Sequence, residues 1–181
     1  MKTSSNYILS ATNIFKSYKE LAEKAMAQLS DEQLFWQPDA ESNSIYLIVK
    51  HLNGNMLSRW TDFLTTDGEK EWRNRDEEFV DDGMKKLKDE HMRGNLMKIW
   101  DEGWKCLFDT LNTLTENDLG KIVKIRNEEH SVMEAINRQV AHYSSHIGQI
   151  IFIAKMLKSE EWKSLSIPKN KSKEFNEKLM K

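Results

Sequence analysis

The sequence predicts an all-α protein: a four-helix bundle with a long crossover connection between its second and third helices. Three observations predict it. Apolar residues recur every three to four positions in four separate segments, the period of a helix with one buried face. Helix breakers are scarce, with seven glycines and two prolines in 181 residues, and Pro38 and Pro168 both lie outside the periodic segments. The composition is also rich in Leu, Lys, Glu and Met, which favour helix.

In the first helix Tyr7, Ile8, Ala11, Ile14, Phe15, Tyr18, Leu21, Ala22, Ala25, Met26 and Leu29 form one wide stripe. Ser30 with Gln33 reads as a capping box for a short turn before Pro38. The second helix starts near Ser44, with Asn43 or Ser44 as its cap, and turns Ile45, Ile48, Leu52, Met56 and Phe63 toward a core. The third is expected from Met84 to Leu114, with Leu96, Met97, Trp100, Trp104, Leu107, Phe108 and Leu111 on its stripe. Thr115 and Asp118 suggest a cap for another short turn. The fourth opens on a second capping box, Ser131 with Glu134, and ends around Leu157 or Lys158.

Two connections carry structure of their own. TTDGEKEWRNRDEEFVDDG joins the second and third helices. Structureless loops beyond about 12–15 residues are uncommon in compact domains, so Trp72 and Phe79 are expected to pack it down as it crosses. In KIVKIRNEEHSV, Ile122 and Ile125 flank a polar RNEE turn, which suggests a small hairpin. The bundle is assigned to residues 1–165 and a polar, peripheral tail to 166–181.

Bulk properties exclude several functions. The net charge is −2 with acids and bases interspersed, so no basic field draws the chain onto nucleic acid. No apolar run approaches the roughly 18–20 residues of a membrane span, and MKTSSNYILS lacks the apolar core of a signal peptide. Cys106 is the sole cysteine, which rules out an intramolecular disulfide and suits a reducing cytoplasm. On its helix it reads as a small buried or half-buried residue.

The chemistry concentrates in the fourth helix. Its inward stripe runs Val132, Ala135, Ile136, Gln139, His142, Tyr143, His146, Gln149, Ile150, Ile153, Leu157. Two imidazoles and two amides thus interrupt an apolar seam within a few turns, and buried polar groups need partners. His142 and His146 stand four apart, so both rings can reach one ion. An isolated HxxxH pair is equally compatible with two hydrogen-bonded core histidines. Gln149 would serve as a hydrogen-bond partner to a ligand or as a weak ligand itself.

A third ligand must come from a facing helix. His91 sits in a polar segment beside Asp89 and Glu90, and His130 precedes a helix cap. His51, flanked by Ile48 and Leu52 on the second helix, is the best candidate. Three imidazoles without thiolate or carboxylate would leave a coordination position open, as catalytic zinc sites do. HExxH is absent, Tyr143 standing where that motif has Glu; Tyr143 itself is assigned to packing. Asn55 and Arg59, four and eight residues past His51, are placed at the pocket edge. Arg59 would pair with a substrate carboxylate or with nearby Asp62. Ile147, Ile151 and Phe152 form a second apolar patch, read as overpacked core or a homodimer face.

At Asn43-Ser44-Ile45, at His51 in VKHLNGN and at His142-Tyr-Ser-Ser-His146-Ile-Gly148-Gln149, the sequence resembles the DinB/YfiT-like family of metal-dependent proteins. The tail WKSLSIPKNKSKEFN, residues 162–176, is similar to one subfamily of unknown function. The resemblance covers nearly the whole chain. It implies a four-helix bundle whose histidine triad binds a divalent metal, zinc or nickel being the usual candidates. Relatives of known activity are transferases or isomerases that use a low-molecular-weight thiol such as bacillithiol or mycothiol, which the metal activates. The resemblance thus implies a metal-dependent thiol S-transferase acting on a small molecule. The alternatives are a metal-binding or stress-related protein without turnover, and a metal-dependent hydrolase.

Overall fold

Four long helices dominate the described residues: α1 (Thr3–Met26), α3 (Ile45–Trp60), α4 (Met92–Thr113) and α5 (Val132–Lys158). A short α2 (Asp31–Phe35) follows α1, and α6 (Ser172–Leu179) lies in the tail. The computed structural model describes residues 3–80 and 91–179, and these are mostly helical. Their strands form one antiparallel hairpin, β1 (Ile122–Ile125) with β2 (Glu128–Ser131).

The helices begin where side chains satisfy the first backbone donors. Ser30 and Gln33 form a reciprocal capping box on α2, and Ser131 and Glu134 do the same on α5. Ser44 Oγ accepts from the Leu47 N–H at 3.2 Å to open α3. Each such cap contributes about 1 kcal/mol. Thr115 and Asp118 cap a 3-10 turn after α4.

The stripes meet in one core. α3 packs on α4 and α5, and α1 packs on α5 and α4. Phe15, Trp60, Trp104 and Tyr143 interlock at its centre, with Phe15–Tyr143 and Trp104–Tyr143 ring centroids 5.7 and 5.9 Å apart. Trp100, Leu52, Met56, Ile136 and Ile150 are buried around them. Burying a large side chain of this kind contributes about 1.5–3 kcal/mol. Gly103 lets α4 approach α3 closely: a Cβ there would lie 3.1 Å from Asn53 Cα.

The crossover is tied down from both sides. Ser58 on α3 donates to the Gly68 carbonyl and accepts from the Lys70 N–H, each at 2.9 Å. The hairpin turns on Arg126 and Asn127, both with positive φ (56° and 64°), as a two-residue turn with the twist of its strands requires. The Asp67 carboxylate accepts from both turn amides, at 2.9 and 2.8 Å. A 3-10 turn, Asp76–Phe79, then lays the chain against α3.

Several expectations need correction. Trp72 is 59% exposed and does not anchor the crossover; the buried polar groups Arg73 and Glu78, with Phe79, do that instead. The expected start of the third helix at Met84 lies outside the described residues, and α4 is seen from Met92. The turn is two residues long, so Glu128 and Glu129 already belong to β2. Of the second apolar patch, Ile147 faces the core at 2% exposure, in keeping with its core alternative, while Phe152 is exposed. The tail contains a helix, α6, whose residues are all exposed.

Candidate metal centre

His51 comes from the middle of α3 and His142 and His146 from the middle of α5. Their inward stripes bring the three rings together. His51 Nε2 lies 3.3 Å from His142 Nε2, and His146 Nε2 lies 3.2 Å from the same atom. One nitrogen from each ring falls within 4.8 Å of the others, close enough to hold one metal ion. A tetrahedral ion with Zn–N bonds of about 2.0–2.1 Å separates its donors by about 3.3–3.4 Å, so the observed spacings fit.

Outer partners fix which nitrogen faces inward. His51 Nδ1 lies 2.8 Å from Glu78 Oε2. A carboxylate accepts only, so Nδ1 carries the proton and Nε2 presents its lone pair. His146 Nδ1 lies 3.2 Å from Gln149 Oε1, which assigns the same tautomer when the amide oxygen is the acceptor. His142 Nδ1 is buried without a partner. Burial, reinforced by His146 and His51, pulls the His142 pKa down to about 3. Burial also lowers that of His146, with His51 acting in the same sense. Neutral imidazoles are what a divalent cation requires.

Glu78 is itself held. Arg73 grips it with two hydrogen bonds, Nε to Oε1 at 2.7 Å and Nη2 to Oε2 at 2.9 Å. Burial raises the Glu78 pKa, but hydrogen bonds from His51 and Arg73 outweigh it and the net shift is downward. Arg73 also reaches Glu69 at 3.3 Å. Phe79 stacks beside His51, centroids 5.0 Å apart. Gly54, three residues past His51, makes room for this carboxylate: a Cβ there would lie 2.2 Å from Glu78 Oε1.

A cavity of about 670 Å³ opens beside the triad. Asn55 and Arg59 line it, with Gln139 and four further arginines, Arg73, Arg75, Arg126 and Arg138. Asn55 Oδ1 accepts from the Tyr143 hydroxyl at 3.0 Å, and that oxygen accepts from Trp60 Nε1 at 3.0 Å. Tyr143 is therefore more than packing, since it orients a cavity residue.

Arg59 does not pair with Asp62. The helix ends at Trp60 and Asp62 has φ 49° in the following turn, while the Arg59 ion pair is a long one to Glu69, 3.8 Å from Nη2. Gln149 is exposed and meets the site through His146 rather than lining the cavity. His91 precedes α4 and His130 lies on β2, both away from the triad. Cys106 is half-buried against Thr61, 3.6 Å away, and burial raises its thiol pKa. Arg73 and Glu78 escaped the sequence reading because they sit in a charged run with no period. Gly54 in HLNGN was the available signal that something approaches α3 closely.

Fold and site together define a mostly helical protein with an inward-facing cluster of three histidines on two helices. The chain belongs to the family described as protein of unknown function (DUF1572), which matches residues 2–171. No match was found among curated proteins, and none among solved structures.

Proposed function

We propose that His51, His142 and His146 form a divalent-metal centre, zinc or nickel, in a four-helix bundle of the DinB/YfiT-like type, and that the protein is a metal-dependent enzyme transferring a small-molecule thiol. The observation that carries this reading is the convergence of the three rings, His142 Nε2 lying 3.3 Å from His51 Nε2 and 3.2 Å from His146 Nε2, with His51 oriented from behind by Glu78. A histidine backed by a carboxylate is the usual arrangement of a metal ligand. A bound divalent ion supplies a positive charge that lowers the pKa of a coordinated thiol or water.

The chain's own residues favour thiol over water chemistry. Among the described residues lining the cavity none is Asp or Glu, so no carboxylate of the lining is placed to take a proton from attacking water, whereas a thiol needs little help to ionise. Asn55 and Gln139 would orient the bound molecule. The protein is read as cytoplasmic, where such thiols are kept reduced. Among the described residues no helix is long and apolar enough to cross a membrane.

Elemental analysis of untagged protein tests the centre. One divalent ion per chain is expected, and His51→Ala should lose most of it. Protein that is metal-free as purified and refuses added zinc and nickel would sink the reading. Screening thiols against electrophiles then separates a transferase from a metal-binding protein without turnover, and activity in the absence of thiol would identify a hydrolase.

A further inference from the structure

The cavity wall has a charge the metal reading does not use. Five guanidinium groups line it, from Arg59, Arg73, Arg75, Arg126 and Arg138. Three carboxylates stand close to them, and all are shared: Glu78 serves Arg73 and His51, Glu69 serves Arg73, Arg126 and, distantly, Arg59, and Asp67 holds the Arg126 and Asn127 backbone N–H groups while attracting Arg59. Positive charge is therefore in excess.

Arg59 is the unusual member. It is 3% exposed, and its Nε and Nη1 have no hydrogen-bond partner. Its nearest carboxylate oxygen, 3.8 Å away, is beyond hydrogen-bonding distance. Burial pulls the guanidinium pKa below its ordinary value despite the opposing attraction of Glu69, and Arg73 and Arg138 add a smaller repulsion. A buried cation left this way is costly unless a partner arrives. Guanidinium matches the fork geometry of carboxylate and phosphoryl oxygens. Gln139 Oε1, also buried and unpartnered in the cavity, adds an acceptor for a hydroxyl or N–H of the same molecule.

We infer that the cavity binds a small oxyanion, and that the substrate or thiol used at the triad carries a carboxylate or phosphoryl group docked on Arg59. This deepens the proposed function and rests on it for what happens at the histidine end of the molecule. The anion site itself stands on the arginines alone.

The test is calorimetric titration of chelator-treated, metal-free protein with inorganic phosphate, with succinate, and with neutral succinamide. Saturable binding of phosphate or succinate, and none of succinamide, is expected. The tighter of the two anions tells phosphoryl from carboxylate chemistry. Arg138→Gln, an exposed change, should weaken the anion severalfold, and Arg59→Met by at least about tenfold. Arg59→Met should also melt no lower than the parent without anion, because it removes an unpaired buried charge.

Absence of saturable binding by either anion overturns the inference, as does binding seen only after zinc is added, which would place the anion on the metal. An Arg59→Met protein that keeps its fold and binds the anion as the parent does also overturns it. Zinc titration of the same samples keeps the two readings apart. Zinc uptake without anion binding defeats this inference alone, and anion binding without zinc uptake defeats the metal centre alone.

Discussion

His51 Nδ1 and Glu78 Oε2 lie 2.8 Å apart although 27 residues of chain separate them. This contact joins the crossover to α3 and sets the direction in which the His51 lone pair points. Replacing the carboxylate by an amide keeps the shape and removes the charge. Glu78→Gln should therefore lower metal affinity by about 10–100-fold, measured by competition with a chromophoric chelator. An affinity equal to the parent's would show that the contact is structural only.

Gly54 tests the same contact from the other side. In Gly54→Ala the new Cβ would fall 2.2 Å from Glu78 Oε1 and 2.8 Å from its Cδ, so the carboxylate must move off His51. Metal affinity should drop as it does in Glu78→Gln. Gly148→Ala is the matched control, since a Cβ there meets nothing within 4 Å. It should leave metal affinity unchanged and raise stability by up to about 1 kcal/mol through helix propensity. If both alanines behave alike in the chelator competition, close approach at Gly54 is not what shapes the site.

The hairpin gives a pH dependence. Burial raises the Asp67 pKa, but hydrogen bonds from the backbone N–H groups of Glu69, Asn127 and Arg126 bring it below its ordinary value. With the folded value lower than the unfolded one, this contribution is fully present above the unfolded pKa of about 3.9. It is lost as pH falls through the folded value. Asp67→Asn should lose stability at neutral pH and show a shallower further loss between about pH 5 and pH 2 than the parent. Urea unfolding across that range measures it. Parallel acid limbs for the two proteins would exclude Asp67 as a source of the acid sensitivity.

How much of this was legible in the sequence follows from where the information lies. Helix periods and the caps at Ser30, Ser44 and Ser131 are local, and the structure reproduces them. The pairing of His142 with His146 is local too, and His51 could be placed because its flanking Ile48 and Leu52 mark the buried face. Glu78, Arg73 and the Arg59–Glu69 approach were not legible. They depend on how an aperiodic charged segment folds back, and charged runs ordinarily belong to solvated faces. Trp72 failed for a related reason, and the sequence leaves Ile147 between core and dimer face. Hydrophobicity alone does not say which apolar side chain a loop turns inward, or which of two adjacent stripes on α5 the core takes.

Tyr143 illustrates how a residue can be buried for packing and yet bear on the site. Its hydroxyl donates to Asn55 Oδ1 and accepts from Trp60 Nε1, each at 3.0 Å, and burial raises its pKa so that the phenol stays protonated. Tyr143→Phe keeps the ring contacts with Phe15 and Trp104 but leaves the indole N–H and the amide oxygen without that partner. Leaving a buried polar group unpaired costs about 1–3 kcal/mol, so a loss of stability in that range is expected by urea unfolding. Asn55 is also released to turn within the cavity. Metal affinity should be preserved, because Tyr143 makes no hydrogen bond to the three histidines and no charge is changed. A stability equal to the parent's would show that another donor replaces the phenol. A collapse in metal affinity would instead tie the ring, which lies 5.5 Å from the His142 ring, to the placement of that histidine.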